Sequence, residues 1–346
     1  MISSLTTVSP APFKFEKISC RSMSVIGIIT LLPQLFFLGF YGDYAALYNI
    51  FAGISASFIA ELFENLLRKR KSLGDLSFCL SGIISGMFMP MTFSPYFVFF
   101  CVLTAVGITR VFFGGKGSCW FNSSMVAVAV AYLCADYLFP ATIVNPATIS
   151  QTGSAFSAFQ LLDISWLASD KGITSFINSS FLGNLGIKLP EGYITLFWNM
   201  PSLIPAFKFN LLTLAGSVVL LALNIIDWIV PACFIVVYSA LVWFFSNFII
   251  FGFLGEGDIL FSLLTGGTLF TAFYVLTDYS SLPLRFVTKM VYGALAGVLA
   301  FLMNGAGGSS VGSVFTVLIM NMFSPLLHRL EDKICEVRMV KRVKTA

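Results

Sequence analysis

Residues Gly257 to Lys289 read GDILFSLLTGGTLFTAFYVLTDYSSLPLRFVTK, an apolar run of helical length with a glycine pair near its middle and an aspartate at each end of the run. Lipid leaves no water for backbone amides, so such a run predicts one spanning helix. A charge in hydrocarbon costs about 3 kcal/mol on the gentlest scale. Asp258 and Asp278 therefore require water, a cation or a partner.

The rest of the chain has the same character. Of 346 residues, 58% are hydrophobic, 10% are charged and 38 are phenylalanine, which excludes an ordinary soluble domain. The reading is an all-α polytopic membrane protein. Lys14, Lys17 and Arg21 precede an apolar run with no small-residue cleavage site after it, so the first span is expected to remain as an anchor. No basic segment is interleaved with exposed aromatics outside the short tails, and nucleic acid is not an expected partner. The seven cysteines form no C-x-x-C pair and read as small packing residues.

Windows of about 20 residues delimit ten spans: Ser22 to Gly39, Ala45 to Leu67, Leu76 to Met91, Tyr96 to Phe113, Trp120 to Phe139, Phe209 to Ile225, Trp228 to Phe251, Ile259 to Thr277, Phe286 to Met303, and Val311 to Leu327. With both termini on the cytoplasmic side, every lysine and arginine falls inside except Lys171, Lys188 and Lys208. On that count Arg110 and Lys116 belong to one cytoplasmic segment. The expected organisation is a cytoplasmic segment (1–21), a first five-span repeat (22–139), an extracytoplasmic cap (140–208), a second five-span repeat (209–327) and a basic amphipathic tail (328–346). Leu326, Leu330, Ile334 and Val337 lie at helical spacing, as in a helix resting on the inner membrane face and offering a partner a docking site.

The halves echo one another. Gly74-Asp75 opens span three and Gly257-Asp258 opens span eight, both as G-D-x-x-F-x-L followed by small residues. FGGKGSCWFN at Phe113 to Asn122 is answered by NGAGGSSVGS at Asn304 to Ser313. Five spans per half make these inverted repeats, a design that builds ligand sites between the halves. The competing reading is that Asp75 and Asp258 merely cap helix starts.

Candidate functional residues follow from intramembrane charge. Glu61 and Glu64 lie on one face of span two and either pair with the basic cluster Arg68 to Lys71 or handle a cation, Glu61 being the deeper. Asp278, Glu61, Asp75 and Asp258 are the cation-path candidates, because buried carboxylates suit hard cations. The glycines of the Phe113 to Asn122 turn (Gly114, Gly115 and Gly117), with Asn122, suit an anionic group of a cofactor. With a single histidine near the carboxyl end, neither a serine–histidine–aspartate set nor a metal-ligand cluster is expected.

Asp75 to Pro90, the FGGKGSCWFN turn, Ile225 to Pro231 and above all TDYSSLPLRFVTKMVYG at Thr277 to Gly293 together resemble one family. It comprises the B-type membrane component of the sodium-translocating NADH:quinone oxidoreductase and the D-type membrane component of the Rnf electron-transport complex. The resemblance implies a non-autonomous subunit of a redox-driven ion translocase in the bacterial inner membrane. It implies neighbouring Rnf-type subunits, outward movement of Na+ or H+, FMN esterified to a threonine, and riboflavin in some members. This chain has no S-G-A-T text; the nearest is Thr152-Gly153-Ser154-Ala155, so Thr152 is the candidate FMN acceptor. A stand-alone channel for a small polar solute and a flavin-free scaffold subunit are the alternatives.

Overall fold

The computed structural model describes residues 19–67, 69, 76–112, 121–140, 152, 155–162, 166–183, 186, 188–245, 258–279, 281–305 and 309–345. All regular structure among them is helical. Helix α1 (Cys20–Phe40) begins where the Ser19 hydroxyl accepts a hydrogen bond from the Ser22 amide at 3.1 Å. Then come α2 (Tyr44–Leu67), α3 (Ser77–Phe88), α4 (Pro95–Phe112) and α5 (Ser123–Cys134). Short helices at Ala155–Gln160, Asp170–Ile177 and Tyr193–Trp198 occupy the cap segment. The second half holds α6 (Asn210–Ala222), α7 (Ile229–Phe245), α8 (Ile259–Leu264), α9 (Thr268–Phe270, continued by a π turn Thr271–Val275), α10 (Phe286–Asn304) and α11 (Gly312–Thr345). Helical segments Cys20–Phe40, Tyr44–Leu67, Phe286–Asn304 and Gly312–Ile334 are long and apolar enough to cross a membrane. This is an all-helical, polytopic membrane protein.

One sequence expectation is corrected here. Gly257 to Lys289 is not one spanning helix: α8 stops at Leu264, and Gly266 and Gly267 both sit at φ +66°, a left-handed conformation open to glycine. The interruption is tolerated because neighbours answer the freed carbonyls. The Asn210 amide donates to Leu264 O at 2.8 Å, and the Thr268 hydroxyl lies 3.2 Å from Ser262 O. The tail is helical. It continues α11 through Pro325 without interruption, with Leu326, Leu330 and Ile334 exposed along it.

Packing in the first half rests on glycine. At the α2–α3 crossing a Cβ on Gly82 would lie 2.6 Å from Ile54 Cα, and one on Gly86 would lie 2.5 Å from Ile50 Cα. Backbone meets backbone, which recovers dispersion energy that lipid cannot supply. In the second half Gly293 and Gly297 of α10 approach the carbonyls of Val230 and Phe234 on α7 in the same manner. Helix α1 packs on α6 and α5 on α11, and these contacts join the halves. Gln34 Nε2 donates to Thr213 Oγ1 at 3.2 Å across the first of them.

The cap segment is anchored by buried polar groups. Asp170, 2% exposed, accepts hydrogen bonds from the Gly192 and Thr195 amides at 3.0 and 2.8 Å and from the Thr195 and Thr174 hydroxyls at 2.5 and 3.1 Å. Burial pushes its pKa upward, but these four donors outweigh that and hold it below the ordinary carboxylate value. A depressed native pKa contributes stability above the unfolded value of about 3.9, and that contribution is lost as pH falls through the native pKa. Thermal melting should therefore be flat between neutrality and about pH 5 and fall below about pH 4. Asp170→Asn should be less stable at neutrality and lose less on acidification; an unchanged acid response would refute this role. Elsewhere Lys208 pairs with Asp43 at 2.5 Å, and the Trp198 indole donates to the Tyr41 hydroxyl at 2.9 Å.

Candidate functional site

A cavity of about 150 Å³ opens between the two halves, at the end of the bundle where α1 starts. Helices α1, α3 and α5 supply Ser24, Ser77, Ser81 and Ser124, and the second half supplies Leu220, Phe273, Tyr274, Thr277 and Asp278. The walls are largely apolar with a few convergent polar groups, the usual composition of a ligand site.

Asn122 is the joint. Its Oδ1 caps α5 by accepting from the Ser124 and Met125 amides at 3.1 and 3.4 Å, and its Nδ2 points across the cavity to Asp278 Oδ2 at 3.4 Å. One side chain therefore starts a helix in the first half and meets the acid of the second. The Ser124 hydroxyl adds a bond to Ser81 O at 3.0 Å, tying α5 to α3. Asp278 itself lies three residues past the π turn, half-buried, and the hydroxyl of the neighbouring Ser281 is within 3.5 Å of its carbonyl. The Asp278 loop is held from below: Glu331 of α11 accepts from the Arg285 amide at 2.9 Å, and Ser324 donates to Ser281 O. Glu331 thereby places a carboxylate at the start of α10, a favourable position for negative charge.

Arg110, in the last turn of α4, also lines the cavity. It is 4% exposed, and its Nη1 lies 2.9 Å from Glu61 Oε2, itself on a residue only 2% exposed. A buried charge needs a partner, and Glu61 of α2 supplies one. In the sequence, Arg110 falls within the apolar window of span four. Glu61 thus joins the cavity through Arg110, while the basic cluster after it lies, apart from Lys69, outside the described residues.

The remaining candidates separate. Asp258 sits at the cap end, where its Oδ1 accepts from the Phe261 amide at 3.0 Å as the N-cap of α8 and its Oδ2 accepts from the Tyr193 hydroxyl. The capping reading describes it. Burial together with bonded Asp258 pushes the Tyr193 phenol well above its ordinary pKa, and its ring stacks on Phe156 at 4.1 Å. Thr152 is partly buried in the cap segment, away from the cavity lining. Asp75, Gly114, Gly115 and Gly117 lie outside the described residues.

Comparison with known proteins decides the family. The model of the NQR2, RnfD, RnfE family matches residues 7–335. The chain belongs to this family. Among relatives of this NQR2, RnfD, RnfE protein, the D subunit of the ion-translocating oxidoreductase complex from Mannheimia succiniciproducens is 26% identical over 90% of this chain and 92% of its own length. The D subunit of the Na(+)-translocating ferredoxin:NAD(+) oxidoreductase complex from Acetobacterium woodii is 25% identical over 97% of each chain. The D subunit of the proton-translocating ferredoxin:NAD(+) oxidoreductase complex from Clostridium ljungdahlii is 25% identical over 88% of each. Relatives in this family thus carry names with either ion.

Proposed function

We propose that this chain is the D-type membrane subunit of an ion-translocating ferredoxin:NAD(+) oxidoreductase complex, working with the other subunits of that complex in a bacterial inner membrane. The observation that carries the reading is the meeting of Asp278 with Asn122 across the cavity, in a chain whose relatives are such subunits over nearly their whole length. The ten-span, inverted five-plus-five arrangement with both termini cytoplasmic is part of the same proposal. It is supported by the pairing of corresponding helices across the halves, α1 with α6 and α5 with α11.

In this reading Asp278 is the acid at the mouth of the cation path. The Glu61–Arg110 pair keeps a compensated charge on its wall, and Asp75 and Asp258 mark the starts of spans three and eight. In the assembled complex, Asp278→Asn is expected to lower the ions moved per electron pair at least severalfold while the complex still assembles. Sodium or proton uptake into proteoliposomes during electron transfer is the measurement, and an unchanged ratio would remove Asp278 from the path.

The cofactors belong to the proposal too. FMN joined to Thr152 would supply one-electron redox chemistry at the cap, and the Thr152 hydroxyl is the acceptor to which the family resemblance points. Intact mass of the native subunit against Thr152→Ala decides it: the native chain alone should carry an FMN-sized increment. Riboflavin, the second flavin that the family resemblance implies for some members, belongs to the same proposal.

A further inference from the structure

The cavity at Asp278 holds two charges of opposite sign, and the cation path described above uses the second only as a compensated charge on its wall. Among the described residues the cavity is lined by one acid, Asp278, and one cation, Arg110. Arg110 comes from the first half and Asp278 from the second, so each reaches the space from its own side. Glu61 stands behind Arg110, its Oε2 2.9 Å from Nη1, with both side chains at most 5% exposed.

The charges of Asp278 and Arg110 are close enough to act on a common neighbour. Burial foremost, then Asp278 and Cys20, push the Tyr279 phenol well above its ordinary pKa, whereas the Arg110 guanidinium pulls it down. Space for movement is present as well. The cavity volume of about 150 Å³ is on the order of ten times what one water requires. Arg110 lies in the last turn of α4, and an arginine carries its charged head on a long flexible stem.

A fixed cation beside a cation path is an obstacle unless it is neutralised, because like charges repel most strongly where water is scarce. An empty acid in a largely apolar cavity is the opposite burden, since an uncompensated buried charge is costly. One guanidinium placed between two carboxylates answers both. On Glu61 it leaves the path open to a cation; on Asp278 it stands in for the missing one.

We propose that Arg110 is a positioning residue that changes partner during ion transfer, pairing with Glu61 while a monovalent cation occupies Asp278 and turning to Asp278 when that cation has left. The observed structure is the Glu61-paired arrangement, ready to receive a cation. Because the guanidinium takes the place of the departed ion, the emptied acid does not refill from the side to which it discharged. The inference rests on the reading of Asp278 as the acid of the path and adds to it the residue that prevents passive flux.

The test uses the assembled complex in proteoliposomes without electron donor, so that only passive flux is read, with radiosodium and a pH-sensitive dye as the probes. The native complex should be tight. Arg110→Gln should raise the passive flux of one of the two ions at least tenfold, and Arg110→Lys, which keeps a mobile cation, should stay close to native. Adding Asp278→Asn to Arg110→Gln should return the flux to the native level, because the bare carboxylate that draws cations in is gone. A contact that merely held α2 to α4 would leave the leak in place. A tight Arg110→Gln complex overturns the inference, and so does a leak that Asp278→Asn does not abolish. If Arg110→Gln does not assemble, Glu61→Leu/Arg110→Leu, which removes both charges of the pair, is read in its place; the same tenfold leak is expected, and a tight complex overturns the inference. Electron-driven uptake is scored on Asp278→Asn alone. An unchanged ion ratio there removes Asp278 from the path and this inference with it, whereas a lowered ratio beside a tight Arg110→Gln complex removes only the role of Arg110.

Discussion

Glu61→Gln is expected to destabilise the protein by about 3–5 kcal/mol, more than removal of both charged partners together. The Glu61 and Arg110 side chains are 3% and 5% exposed and 2.9 Å apart. Taking two charges out of water is expensive, and each charge of this pair offsets part of that cost for the other. Glutamine keeps the shape of the glutamate but not its charge, so the guanidinium stays buried without this carboxylate. The double variant Glu61→Leu/Arg110→Leu removes both charges and should lie within about 2 kcal/mol of the native protein. Melting of the native chain, both single variants and the double variant in one detergent gives the comparison. A double variant as unstable as Glu61→Gln would show that packing rather than charge compensation governs this contact.

The second large effect is expected at the α2–α3 crossing, where Gly82→Ala/Gly86→Ala should cost about 3–6 kcal/mol at about 1–3 kcal/mol for each overpacked position. The added methyls would lie 2.6 Å from Ile54 Cα and 2.5 Å from Ile50 Cα, and neither atom can turn aside as a side-chain tip can. The helices must separate instead, and close contact is what holds them in lipid. Gly107→Ala on α4 is the control: nothing lies within 4 Å of its added methyl, so alanine should be neutral or stabilise by up to about 1 kcal/mol through helix propensity. Equal losses at Gly107 and at the Gly82/Gly86 pair would attribute the effect to general intolerance of the helices. Since α3 also lines the cavity through Ser77 and Ser81, separation of α2 and α3 should weaken ion coupling along with stability.

Much of the fold was legible in the residues because membrane insertion is a local requirement. Each apolar window must satisfy its own backbone, so every span window contains helix in the structure. Asp278 was legible for a related reason, as an acid at the end of a long apolar run. The capping of α8 by Asp258 was legible as one of two readings, and the choice between them needed Tyr193, 65 residues distant, to be seen against the carboxylate. The burial of Arg110 was not legible, because counting lysines and arginines by side treats each as solvated. Burial depends on what faces the residue, and Glu61 lies 49 residues away in sequence.

The sequence by itself determined the class of the protein, an all-helical membrane chain, and membership in the NQR2, RnfD, RnfE family. Both are written in composition and in contiguous text, which need no third dimension. Only the tertiary structure decided where span eight breaks, that Asn122 and Asp278 meet across the cavity, and that Asn304 of α10 donates to Thr268. The physical reason is that lipid sets the cost of an unpaired polar group residue by residue. The partner that relieves that cost is chosen by how the helices pack.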